Sequence, residues 1–279
     1  MVQIYGDELQ NLVNTASGRR KAHVESQIIP VMMQTPGTNM ALEYLQHVAN
    51  TTVPVVLSSG VLQNIDSDEM DGLMMGVPML PNRSGQVVRQ WKGLYILQVY
   101  QYSPLSDKDK AELAKTTQHN GIGMLAVSSY VARKGVIIHS TISNVIVTDV
   151  TEINEPRYVV NFPTGTNKDL AKAIMDEVAT MDSMVIRYLC FREFVEIKEI
   201  NAQPGKKVDV HRDEKVRNAT KLNIKVLDCT YFHRILIDRT TVRGHWRWQV
   251  CGPKNTEHKY IFIEPHERPA HIRKAGKES

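Results

Sequence analysis

Val242-Arg243-Gly244-His245-Trp246-Arg247-Trp248-Gln249 is the stretch on which the reading of this chain turns. A β-strand sends successive side chains to opposite faces. Val242, Gly244, Trp246, Trp248 and Val250 therefore share one face, and Arg243, His245, Arg247 and Gln249 share the other. The first face has two large indoles to bury, each with one N–H to satisfy. The second holds two fixed positive charges, a group that titrates near neutrality and an amide. That face suits phosphate or a nucleic-acid backbone. It is also what the solvated side of an antiparallel sheet looks like, and the alternation alone does not separate the two readings.

Composition narrows the class. The 279 residues are 42% apolar and 23% charged, as in a soluble globular protein, and suffice for one large domain or two ordinary ones. No apolar run approaches the roughly 18–20 residues of a membrane span. The beginning, Met1-Val-Gln-Ile-Tyr-Gly-Asp-Glu8, lacks the basic-then-apolar layout of a signal peptide. Cys190, Cys229 and Cys251 are odd in number and far apart, which argues against a disulfide framework. The expectation is a reduced, cytoplasmic protein without a membrane partner. Charge is uneven. From Cys190 onward there are 19 Lys/Arg against 12 Asp/Glu, a net of +7, whereas the part before it carries −3. A basic C-terminal part points weakly to a polyanionic partner.

Outward from the opening stretch, Cys251-Gly-Pro-Lys-Asn-Thr-Glu257 reads as a turn leading into a strand from Lys259 to Glu264, which makes a hairpin. Leu222–Leu227 and Tyr231–Ile237 read as two further strands. Residues 201–220 carry many charges and few large apolar groups, and are expected to be a linker or exposed loop. Before it, Leu170, Ile174, Val178, Met181, Val185 and Leu189 recur at helical spacing, so a long amphipathic helix spans about 168–199, capped by Thr166. Residues 123–132 and 135–149 read as strands around Arg133-Lys134-Gly135, and Gln86–Tyr100 favours strand. Ser106, with Asp109 three residues on, opens a helix to about Gln118. Val53–Ser58 reads as a short strand with an edge proline, and residues 1–50 as three helices. The Met-rich run 70–81 reads as an irregular segment packed on the core.

The fold expected is α+β: a helical N-terminal portion with mixed strands, the long amphipathic helix, and an antiparallel C-terminal β-sheet. The division expected is a mixed portion over 1–200, the linker or loop 201–220, a basic β portion over 221–272 and a frayed tail over 273–279.

The Arg243-Gly-His-Trp-Arg-Trp-Gln249 strand, the Gly-Pro turn and Tyr260-Ile-Phe-Ile-Glu-Pro-His266 together resemble the end of a group of uncharacterised proteins of actinobacteria, their plasmids and their phages. Those proteins share a His-Trp-Arg-x-Gln strand followed by an aromatic-Ile-x-Pro strand and basic residues. The likeness covers roughly 220–272, and it implies a phage or mobile-element context without implying an activity. Cys251, Glu264 and Glu267 depart from a purely phosphate-binding pattern.

Three kinds of chemistry are consistent with these residues. In the first, Arg243, His245, Arg247, Gln249, Lys254 and Lys259 meet a nucleic-acid backbone. In the second, the Met-rich 70–81 region and the acidic N-terminal part contact a host or defence protein, and self-association into a homo-oligomer is compatible with either. The third is a metal-independent ribonuclease-like toxin, in which His233, His245, His258 and Tyr260 supply general acid and base beside the arginines. It requires His258 and Tyr260 to lie across from Arg243 and His245 on one sheet face. Zinc held by His233, His245 and Cys229 or Cys251 matches no standard spacing, and Asp66–Gly72 lacks the ligands a calcium loop requires. No Gly-rich dinucleotide or phosphate loop is present, so no metal or cofactor is expected.

Overall fold

Pro54–Leu57 (β2) is a short, fully buried strand in the interior of a sheet that has eight strands among the described residues. Proline is tolerated there because it is the first residue of the strand, where its missing N–H removes little from the ladder. The expected edge strand is thus a central one. The structure, a computed structural model, describes residues 2–4, 6–16, 38–66, 70–74, 76–91, 93–116, 121–133, 136–148, 157–159, 168–195, 197–210, 215–218, 221–229, 241–242, 245–251, 257–263 and 266–267.

In chain order these form β1 (Val2–Ile4), α1 (Gly6–Ala16), α2 (Thr38–Thr51), β2, α3 (Ser59–Ile65) and α4 (Met70–Met74). A 3-10 turn over Val77–Met79 leads to β3 (Arg83–Trp91), β4 (Leu94–Pro104), α5 (Asp107–Thr116), β5 (Gly121–Arg133), β6 (Val136–Thr148) and β7 (Arg157–Val159). Then come α6 (Lys168–Phe194), β8 (Ile197–Ala202), β9 (Lys207–Asp209), β10 (Lys215–Asn218) and β11 (Ile224–Cys229). The last described strands are β12 (Thr241–Val242), β13 (His245–Cys251), β14 (Glu257–Ile263) and β15 (His266–Glu267). The protein is mixed α and β, dominated by a strand-rich central sheet.

That sheet runs β7-β6-β5-β4-β3-β2-β11-β8. From β3 to β7 it is an antiparallel meander, β2 is parallel to both β3 and β11, and β8 closes the far edge antiparallel. Alternation along the strands sorts the core into two layers. One face packs Val55, Leu57, Val87, Tyr100, Tyr102, Leu125, Val127 and Val145 beneath α3, α4 and the second half of α6. The other packs Val56, Val88, Leu97, Val99, Ala126 and Val226 against Leu9 and Leu12 of α1 and Leu45 and Val48 of α2. The second half of α6 is buried nearly all round, from Met184 to Leu189 and on to Phe194, because it is covered on its far side too.

Several expectations are corrected. The strand-favouring residues Gln86–Tyr100 fall in two strands, β3 and β4, which turn at Gly93, whose φ of 78° is open to glycine. The long helix ends at Phe194 rather than near 199, and β8 begins at Ile197. The 201–220 stretch is not a loop: β9 and β10 lie in it, β10 pairs in parallel with β1, and Asn218 is fully buried with its amide donating to the Ala202 and Leu222 carbonyls. Its charges sit on the outer face of short alternating strands, which the composition of the stretch conceals. β11, expected within a separate antiparallel sheet, is parallel to β2 in the central one, so strand pairing crosses the expected division between 1–200 and 221–272. The Met-rich run packs on the core, as α4 and the 3-10 turn, with Met70, Leu73, Met74 and Val77 buried. The middle helix expected before Met33, the strand over 231–237 and the tail 273–279 lie outside the described residues.

Candidate nucleic-acid interface

β13 and β14 pair antiparallel as a two-stranded ribbon. The register sets His245 opposite Ile263, Arg247 opposite Ile261, Gln249 opposite Lys259 and Cys251 opposite Glu257. The alternate set is Trp246 opposite Phe262, Trp248 opposite Tyr260 and Val250 opposite His258. Directly opposed residues share a face. The ribbon therefore has one face with Arg247, Gln249 and Lys259, all exposed, and another with Tyr260 and Phe262, both buried.

The buried face anchors the ribbon. Tyr260 meets Phe194 at the end of α6 edge-on, with ring centroids 5.7 Å apart, and β13 packs on α4. The tyrosine joins the same core as Met70, Met74 and Val77. Burial, and then the nearby Cys190 thiol, push the Tyr260 phenol above its ordinary pKa.

This register corrects the ribonuclease-like grouping. Tyr260 and His258 stand opposite Trp248 and Val250, on the other face from His245 and Arg247, so the proposed acid–base set is divided between the two sides of the ribbon. Tyr260, 8% exposed, faces the core. Of the remaining candidates, Arg243, Lys254 and His233 lie outside the described residues. Of the cysteines named with the zinc reading, Cys229 is buried in the core cluster at the end of β11. Among the described residues no three His, Cys, Asp or Glu side chains gather as a metal site, and no helix is long and apolar enough to cross a membrane.

Comparison with protein-family models, with curated proteins and with solved structures finds no match.

Two buried polar groups escaped the reading of the sequence. Asp182 of α6 is 1% exposed, and both its carboxyl oxygens lie within hydrogen-bonding distance of Ser143 Oγ in β6, at 3.0 and 2.8 Å. Burial outweighs that hydrogen bond and raises its pKa to about 8. One hydroxyl hydrogen serves only one of the two contacts well, and a proton on the carboxyl supplies the other. Beside it, Gln98 donates to Ser129 Oγ and to the Met181 carbonyl. Arg89 of β3 is the second group, half-buried on the sheet face that α6 covers. Both left a trace: Asp182 follows directly on Met181 of the apolar helical stripe, and Arg89 falls between Val87 and Trp91 on one side of a strand.

Charged residues at the carboxyl end of α6 form a partly exposed network. Arg192 bonds Tyr188 at 3.0 Å and Glu199 at 2.7 Å, and Lys225 reaches the other Glu199 oxygen at 2.9 Å. Partial burial works against the Glu199 carboxylate. The Lys225 hydrogen bond and the Arg192 charge outweigh it, and its pKa falls below the usual range.

Proposed function

We propose that this chain binds nucleic acid by its sugar–phosphate backbone through the exposed face of the β13–β14 ribbon. The observation that carries this reading is the register: Arg247 of β13 and Lys259 of β14 come to the same exposed face, with Gln249 directly across from Lys259. A fork of guanidinium donors, an ammonium and an amide on one ribbon face suit phosphate and sugar oxygens. Tyr260 and Phe262 are buried on the opposite face, so neither offers a platform for base stacking, and the exposed face offers backbone contacts. Arg243, His245 and Lys254 belong to the same proposed interface by sequence. The resemblance of residues 220–272 to proteins of actinobacterial phages and plasmids is what suggests a phage or mobile-element setting for that activity.

The competing reading, a protein that engages a host or defence protein, relied on the Met-rich segment as a contact surface. Met70, Leu73, Met74 and Val77 are committed to the core, and Met79 alone of the described methionines there is exposed. The acidic N-terminal part is left as the only support for that reading.

The test is binding of mixed RNA and DNA fragments by wild-type protein and by Arg247→Ala/Lys259→Ala, incubated long enough for cleavage to appear. Binding lost in the double variant supports the reading. Folded wild-type protein that binds neither RNA nor DNA refutes it, and shortened fragments would revive the nuclease.

A further inference from the structure

We propose that the β13–β14 ribbon enters the major groove of duplex DNA and reads A·T base pairs there, with Gln249 on adenine and Ile261 on the thymine methyl group. This rests on the reading of the exposed ribbon face as a nucleic-acid surface, and adds what that face selects. The argument starts from the residues that phosphate contacts leave unused. Arg247 stands directly opposite Ile261, and Gln249 directly opposite Lys259. The four form a small array with the two cations on one diagonal and the two neutral side chains on the other. Neighbours across such a ribbon are about 4.5–5.5 Å apart and diagonal ones about 7–8 Å, so all four can meet adjoining parts of one ligand. Ile261 is partly exposed on this face, as is Ile263 at the next place along β14. Among the described residues neither belongs to either core layer. A surface that met only phosphate and sugar would have no use for an isoleucine at its centre.

The major groove supplies partners for the neutral diagonal. It is wide enough to admit a two-stranded β-ribbon. Among the described residues this ribbon is a sheet of its own, and it packs on α4 and the end of α6 by its other face. In the groove adenine presents N7 as an acceptor beside the N6 amine as a donor, and a glutamine amide pairs with both at once. Thymine presents an apolar methyl group. Gln249 and Ile261 are therefore a neutral pair that neighbouring A·T base pairs satisfy, while Arg247 and Lys259 hold phosphates on either side. By register Glu257 takes a further place on the same face, opposite Cys251, where a surface made for phosphate alone would not set an acid. The same features disfavour other nucleic acids. The major groove of duplex RNA is too narrow for side chains to read, and uracil lacks the methyl group. Unpaired bases are held chiefly by stacking, and Tyr260 and Phe262 are buried.

The experiment is binding of the full chain, at one moderate salt concentration, to four short duplexes of equal length. These are DNA with an A·T-rich centre, DNA with a G·C centre, the first DNA with uracil in place of thymine, and RNA of the same sequence. Wild-type protein is expected to prefer the A·T centre by about 5–100-fold, the range of one bidentate base contact. Uracil is expected to weaken binding about 3–5-fold, the effect of exposing one buried methyl group, and duplex RNA to bind most weakly. Gln249→Ala, a neutral change at an exposed position, is expected to lose the A·T preference and keep the salt dependence. Ile261→Ala is expected to bind the thymine and uracil duplexes alike, with the Tm of each variant checking that it is folded. Duplex binding that is weakened in Arg247→Ala/Lys259→Ala, yet blind to base composition and to the thymine methyl, overturns the groove reading and leaves the backbone reading standing. Binding to none of the four, nor to single strands, removes both. An A·T preference that survives uracil and Gln249→Ala marks recognition of DNA shape and overturns the proposal, as does duplex RNA bound as tightly as DNA.

Discussion

Asp182→Asn is the perturbation with the sharpest expected consequence. The carboxyl is enclosed between α6 and β6, and its folded pKa is raised from the ordinary 3.8 to about 8. Between those values the native chain keeps a proton that the unfolded chain releases. Its favourable contribution is therefore complete only below the unfolded value and is lost as pH rises through the folded one. One proton of difference corresponds to about 1.4 kcal/mol of stability per pH unit. Across pH 5 to 7 the wild type should lose about 3 kcal/mol through this group alone, a large part of a typical domain's stability of about 5–15 kcal/mol. Asparagine has nearly the same shape, keeps a partner for Ser143 and does not titrate. The assay is urea unfolding of both proteins at pH 5, 6, 7 and 8, with the difference between them cancelling every other titrating group. The expected result is a variant that gains on wild type at each step, with unchanged m-values. Parallel stability profiles across that range would refute the claim that α6 is held by a protonated carboxyl.

Three further outcomes follow from the packing. Phe194→Ala removes the ring on which Tyr260 rests and opens a cavity in the larger core cluster, so it is expected to cost about 3–5 kcal/mol in chemical denaturation and to expose Tyr260 to quenchers. Gly76→Ala sets a methyl group against the Phe194 ring, within contact distance, and is expected to cost about 1–3 kcal/mol by overpacking; an unchanged Tm would show that the ring moves freely. Ser58→Ala removes the hydroxyl that accepts from the Val61 N–H at the start of α3 and donates to Asp228, and is expected to cost about 1 kcal/mol.

Local chemistry was legible in the sequence, and long-range pairing was not. Ser106 caps α5 as its spacing with Asp109 predicts, its hydroxyl accepting from the Asp109 N–H at 3.2 Å. The β5 and β6 strands fall within two residues of where alternation puts them, since alternation is a property of the strand itself. The partner of a strand is set by residues far away. Nothing in Leu222–Leu227 says that Val226 will lie beside Val56, or that Val2 will lie beside Val216. The linker reading of 201–220 failed for a related reason: two short strands buried on one side look polar on average, and Asn218 is buried because carbonyls distant in the chain accept its hydrogens. In the candidate interface, the two faces of β13 were readable from period two. The facing of His258 and Tyr260 depended on the register with β14, which the loop between them fixes and composition does not.

The central claim concerns the exposed face of the ribbon, and the salt dependence of binding tests it most directly. Affinity for a short single-stranded RNA and for duplex DNA of equal length is measured from low to moderate salt, with wild type and with Arg247→Ala/Lys259→Ala. Each phosphate contact contributes about 0.7–0.9 to the slope of log affinity against log salt, so the double variant should bind more weakly with a slope shallower by about 1.4–1.8. Wild-type binding that is independent of salt, or a double variant with the wild-type affinity and slope, would contradict the account.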